Sequence, residues 1–209
     1  MAPAETLIAF ALAAAAFAYF PGPALLYTAA RTLAAGRRAG LMAALGINVG
    51  GWLHVLAAAA GLSALFEAAP TAYAALKLAG AAYLVWLGWS MIRDRSLGGD
   101  LPEIGAKSAR RAFVESVVVE VLNPKVALFF IAFLPQFVDP AGSLPTWAQF
   151  LILGGATNLM FTSADLVCVA FAGAAAQRLR RSTRAGRWAK RAAGGGLMGL
   201  GAHLALSRG

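Results

Sequence analysis

Apolar residues run along this chain in stretches too long and too uniform for the stripe of a surface helix, and polar residues gather in the gaps between them. Six such stretches predict six helices, at Thr6–Leu33, Leu41–Phe66, Ala69–Ile92, Ala112–Val138, Trp147–Ala176 and Trp188–Ser207. Each is near or above the roughly 20 residues that a bilayer core requires. Two of the six are interrupted by proline: helix 1 at Pro21-Gly22-Pro23 and helix 4 at Asn123-Pro124-Lys125. The first stretch reads as a span rather than a cleaved signal peptide, since it lacks a basic leader, carries Glu5 and continues past its break.

Composition strengthens the membrane reading. Sixty per cent of the residues are hydrophobic and 13% are charged, with a mean hydropathy of +0.69, far from the balance of a soluble domain. The expectation is an all-α integral membrane protein with one transport domain. Residues 1–95 form a first three-helix repeat, 96–111 a cytoplasmic linker, and 112–209 a second three-helix repeat.

Charge gives the orientation. Arg31, Arg37 and Arg38 follow helix 1, Arg93 to Arg111 separate helices 3 and 4, and Arg178 to Arg191 separate helices 5 and 6. These alternate loops fall on one side, which the positive-inside rule makes cytoplasmic, so both termini are expected outside. The net charge of +9 thus points to membrane lipids with anionic headgroups as partners, and not to nucleic acid.

Three helices entering from outside, then three entering from inside, make a 3+3 inverted-topology repeat. Faint echoes accompany it: Asn48 with Asn158, and Lys77, Leu84, Leu87 and Gly88 with Lys190, Leu197, Leu200 and Gly201 at one common offset. Depth adds a sharper expectation. At about 1.5 Å per helical residue, Pro23 lies roughly 21 Å from Arg37, Asn123 about 18 Å from Arg111 and Asp165 about 20 Å from Arg178. Lys125 and Asn48 fall near the same level, Glu120 nearer the cytoplasm and His54 further out.

A broken helix at mid-membrane exposes backbone groups that lipid cannot satisfy, which makes the breaks candidate binding elements. Pro21 and Pro23 free the carbonyls of Phe17 and Tyr19, and Pro124 frees that of Glu120. At the first break one half-helix presents its negative end and the next its positive end. A free amino acid could set its ammonium on the freed carbonyls and its carboxylate on unpaired N–H groups.

Candidate substrate-binding residues are therefore Pro21, Gly22, Pro23, Asn48, Glu120, Asn123, Pro124 and Lys125, with Asp165 and His54 as candidates for proton coupling. Each has a plainer alternative. Asp165, costly in lipid, carries the coupled proton or pairs permanently with Lys125. Lys125 binds a substrate carboxylate or reaches the carbonyls of a break. Glu120 binds an ammonium or a proton, or shares no face with Lys125, five residues on. His54 titrates or bonds neutrally to a neighbouring helix, and His203 is a weaker candidate of the same kind. Asn48 contacts substrate or ties helices together. Gly46 with Gly50, and Gly195 with Gly199, have the spacing that brings helices close, within the chain or in a homodimer.

Three stretches carry a resemblance: "PGPALLYTAARTLAAGRRAGLMAALGINVGGWLHVLAAAAGLSALF", "KLAGAAYLVWLGWSMIR" and "VLNPKVALFFIAFLPQFV". Together they resemble the LysE/RhtB family of bacterial amino-acid exporters over nearly the whole chain. The resemblance implies a six-helix inner-membrane protein that expels amino acids in exchange for protons. The family's motif positions fall on Pro21, Gly22, Pro23, Gly36, Gly40, Gly46, Asn123, Pro124 and Lys125. Ala24 stands where the family commonly has Asn or Asp, and Glu120 where many members are neutral. Ala24 and its apolar surroundings favour a neutral substrate.

Other classes fit less well. A thiol electron carrier needs paired cysteines, and the chain has one, Cys168. HExxH and GxSxG are absent, and two histidines are few for a transition metal, so no enzyme, cofactor or metal is expected. A passive channel, or an exporter of another small solute or cation on the same fold, is the alternative.

Overall fold

A computed structural model describes residues 3–93 and 109–172, together with 191, 194–195, 198–199, 201–202 and 205–206, and no strand occurs among these residues. The helices are α1 (Ala4–Ala18), α2 (Pro23–Ala57), α3 (Ser63–Ala68), α4 (Pro70–Arg93), α5 (Ala109–Val121), α6 (Pro124–Ala132) and α7 (Thr146–Ala170). The linker, most of expected helix 6, His203, Trp188 and Lys190 lie outside the described residues.

Expected helix 1 is α1 followed by the first arm of α2, parted at residues 19–22. Pro21 and Pro23 withhold two N–H donors there, so α1 ends at Ala18 and α2 restarts with Pro23 in its first turn, where a missing N–H costs nothing. Residues 23–65 form 43 helical positions, about twice what one crossing needs. The chain turns at Ala35 and Gly36, which leave helical geometry, and Gly36 takes a φ of +80° that favours glycine. A Cβ on Gly40 would lie 3.0 Å from the Cβ of Thr32, whereas residues eight apart on a straight helix are separated by roughly 12 Å. The first cytoplasmic "loop" of the sequence reading is thus a tight helical hairpin. Arg37 begins its second arm, and its guanidinium donates to the Ala170 carbonyl at 3.0 Å, at the negative end of α7.

Expected helix 2 is the second arm of α2 with α3, joined by a π-helical turn at Ala58–Leu62 that the run of small residues gave no sign of. Expected helix 4 breaks at Leu122 and Asn123, bending by 46° between Ala109–Val121 and Pro124–Phe137. Pro135 then tightens its far end into a 3-10 turn, Leu134–Phe137.

Small residues set the packing of α2 on α5. A Cβ on Gly50 would come within 2.7 Å of Glu120 Cβ, and one on Gly46 within 3.1 Å of the Phe113 carbonyl carbon. That glycine pair works inside the chain, while a Cβ on Gly195 or Gly199 would meet nothing within 4 Å among the described residues. Gly80 lies against Ala132, and Gly201 against Ala81, so backbones also approach closely on both sides of α4.

Eight of the 19 buried residues of the core cluster are phenylalanine. Phe10, Phe137, Phe133, Phe129 and Phe17 form a buried column between α1 and α6, with successive ring centroids 5.3, 4.7, 4.3 and 4.4 Å apart, and Phe161 of α7 joins at 5.8 Å from Phe17. Such edge and offset contacts exceed simple burial by about 1 kcal/mol each.

Candidate functional site

The two breaks meet. One cavity of about 340 Å3, counted with its mouth, is lined by Gly22, Ala24 and Leu25 from the first break and by Glu120, Asn123 and Lys125 from the second, with Asp165 of α7 beside them. Phe17, Ile47, Val126 and Phe161 supply apolar wall. The room inside it for water-sized solvent is about 30 Å3, a water or two, so an amino acid fits only when the walls part.

At the second break the polar groups are largely answered locally. Asn123 caps α6, its Oδ1 accepting from Lys125 N at 3.1 Å, and its Nδ2 donates to Glu120 Oε2 at 3.2 Å. The Glu120 carbonyl, which Pro124 cannot reach, accepts from Asn123 N at 3.0 Å and from His54 Nε2 at 2.9 Å. A carbonyl only accepts, so Nε2 carries the proton in this contact.

The first break is answered from the second. Lys125 Nζ donates to the carbonyls of Phe20 at 2.7 Å and Phe17 at 3.3 Å, and sits 4.3 Å from the Phe17 ring centroid. The expected recipients are Phe17 and Tyr19; the second proves to be Phe20. Gly22 makes this reach possible, since a Cβ there would stand 2.7 Å from Lys125 Cδ. An ammonium thus already occupies the place expected for the substrate's own.

The start of α2 is left open. Gly22 offers no side-chain cap, and the N–H groups of Ala24 and Leu25 precede the first helical bond, from Leu26 N to the Gly22 carbonyl at 2.9 Å. Asp165 is buried, at 3% exposure. Thr28 faces its carboxyl, yet neither Thr28 Oγ1 nor Asp165 Oδ1 completes a hydrogen bond.

Five expected site residues lie outside the lining: Pro21, Pro23 and Pro124, which set the breaks, and Asn48 and His54. Asn48 donates to Thr162 Oγ1 at 2.7 Å, and Asn158 donates to the Asn48 carbonyl at 3.1 Å, tying α2 to α7. His54 serves the second break from behind and stacks on Phe130 at 5.8 Å.

One cluster escapes the sequence reading. Arg31, a loop cation by that reading, is fully buried within α2, paired with Glu115 of α5, and its Nε donates to Tyr27 Oη at 2.9 Å. Arg111 pairs with the other oxygen of Glu115 at 2.9 Å. The available signal is two i,i+4 pairs, Tyr27 with Arg31 and Arg111 with Glu115. Along α2 and α5 this network lies on the Gly36 side of the lining residues, and along α1 and α6 the phenylalanine column extends away from Phe17, which does line the cavity.

A helical membrane protein with a cavity between two broken helices, holding a few charged side chains in apolar walls, has the build of a transporter. The model of the LysE type translocator family matches residues 15–208, and the chain belongs to that family. It is 32% identical over 98% of both chains to a homoserine/homoserine lactone efflux protein of Salmonella typhimurium. It is 31% identical to a leucine efflux protein of an Enterobacter species, over 67% of this chain and 66% of that one. A threonine efflux protein of Escherichia coli is 26% identical over 90% of this chain and 91% of its own. No solved structure matches.

Proposed function

We propose that the protein is a secondary active exporter of amino acids or close derivatives across the bacterial inner membrane. The observation that carries this reading is the cavity itself, where both breaks and a buried carboxylate share one small space. The relatives' names, efflux proteins for homoserine, leucine and threonine, supply the substrate class. Apolar walls and Ala24 suit a neutral side chain.

The mechanism is alternating access within a six-helix, 3+3 inverted repeat whose termini face outward. Gly22, Asn123 and Lys125, with the backbone turns set by Pro21, Pro23 and Pro124, shape the site, and Glu120 adds a carboxylate to it. Asn48 and His54 hold its supporting helices. Parting the Arg31–Glu115 contact opens the cavity inward to load, and parting the phenylalanine column opens it outward to release. Asp165 carries the proton whose inward movement drives the cycle, because a mid-membrane carboxylate can cross between faces neutral or paired but not bare.

Efflux from proteoliposomes preloaded with a panel of labelled amino acids, with and without a pH gradient, tests this. Gradient-driven efflux of a neutral amino acid, lost in Asp165→Asn, is expected. Gradient-independent leakage of the whole panel means a passive channel and overturns it.

A further inference from the structure

The cavity contains one ammonium and two carboxylates, and their partners are unequal. Lys125 Nζ is committed to the Phe17 and Phe20 carbonyls. Glu120 Oε2 is committed to Asn123. Asp165, at 3% exposure, leaves Oδ1 without a hydrogen-bond partner in the wall of the same cavity. A buried carboxylate oxygen in that state calls for a donor, and the carbonyl end of the first break cannot receive one because a tethered amine fills it.

We propose that Asp165 is the binding site for the substrate's ammonium group, so that the substrate and the transported proton compete for one carboxylate. This rests on the exporter reading and deepens it. The ligand class is a primary α-ammonium compound whose carboxylate, or carbonyl oxygen in an ester, amide or lactone, lies at the open first turn of α2. A carboxylate that holds either a proton or an ammonium, but not both, makes exchange obligatory without a separate coupling site. The substrate arrives from inside, displaces the proton and leaves outside when a proton displaces it. The groups facing Asp165 among the described residues are Thr28 of α2, Glu120 of α5, Lys125 of α6 and Cys168 one turn along α7. The only cation among them, Lys125, is held by carbonyls of the first break, which leaves the carboxylate open to an incoming one.

The test is titration calorimetry on the purified full chain in lipid nanodiscs, in two buffers of different ionisation enthalpy near neutral pH. The ligands are leucine, threonine and homoserine, then the carboxamide and the N-acetyl derivative of whichever binds most tightly. The free amino acid and its carboxamide should each release up to about one proton on binding, and their affinity should fall by up to about tenfold per unit of pH lowered. The N-acetyl derivative, which has no ammonium, should bind about 100-fold more weakly. Asp165→Asn, checked for folding by size exclusion, should abolish the proton release. Equal binding of the N-acetyl derivative, or proton release that persists in Asp165→Asn, overturns the assignment and leaves the exporter reading standing. If no free amino acid binds the native protein, both fall together.

Discussion

The two helix breaks look alike in sequence and differ in what they need. The second interrupts the helix for two residues, and Asn123, Glu120 and His54 satisfy its polar groups from its own flanks and from α2. The first interrupts it for four residues, has no side-chain cap, and depends on Lys125 sent across from the second. One break is self-sufficient and the other is complete only through its partner. The lesson is that proline position alone does not make a site. What makes it is backbone left without local partners, and a single glycine, Gly22, decides how close the borrowed partner can come.

The sharpest way to break this comparison is Lys125→Met. It strips the donor from the Phe20 carbonyl, one of two from the Phe17 carbonyl, which keeps Phe20 N at 3.2 Å, and the cation from beside two carboxylates, so a stability loss on the order of 3 kcal/mol is expected, read as thermal unfolding in detergent. A variant as stable as the native protein would show that the first break does not depend on the second. Gly22→Ala should come next, at about 1–2 kcal/mol, because its Cβ collides with the lysine stem rather than with rigid backbone. Combined with Lys125→Met, its penalty should largely vanish, and simple additivity would mean that the two residues do not meet.

Much of this arrangement is legible in the sequence. Proline fixes where a helix stops, and basic residues fix where spans end, so counting rise per residue brings Pro23, Asn123, Lys125 and Asp165 to one level; the last three line one cavity, and beside Pro23 its neighbours Gly22 and Ala24 do. The same count puts Asn48 there too, but level is not facing. Asn48 turns toward Thr162 on α7, and only helix rotation, which a uniformly apolar sequence leaves unmarked, decides that. Arg31 is misplaced for the opposite reason. The positive-inside rule treats every arginine near a span as a loop cation, whereas a buried one needs a partner, and Glu115 is 84 residues away. The π-helical turn at Ala58–Leu62 has no proline and no polar residue to announce it.

Smaller effects separate capping from borrowing. Asn123→Ala removes the cap of α6 and should cost about 1 kcal/mol, the usual worth of such a residue, whereas the first break has no cap to lose. His54→Phe is the mildest. It keeps the ring that stacks near Phe130 and deletes one donor to the Glu120 carbonyl, which still accepts from Asn123 N at 3.0 Å. A carbonyl that retains one of two partners should cost about 0.5–1 kcal/mol. Gradient-driven efflux in this variant should keep its dependence on pH, since the ring serves the break from outside the cavity. A pH profile flattened by His54→Phe would move proton coupling from Asp165 to the histidine, and the self-sufficient break would then be the one that does the transport chemistry.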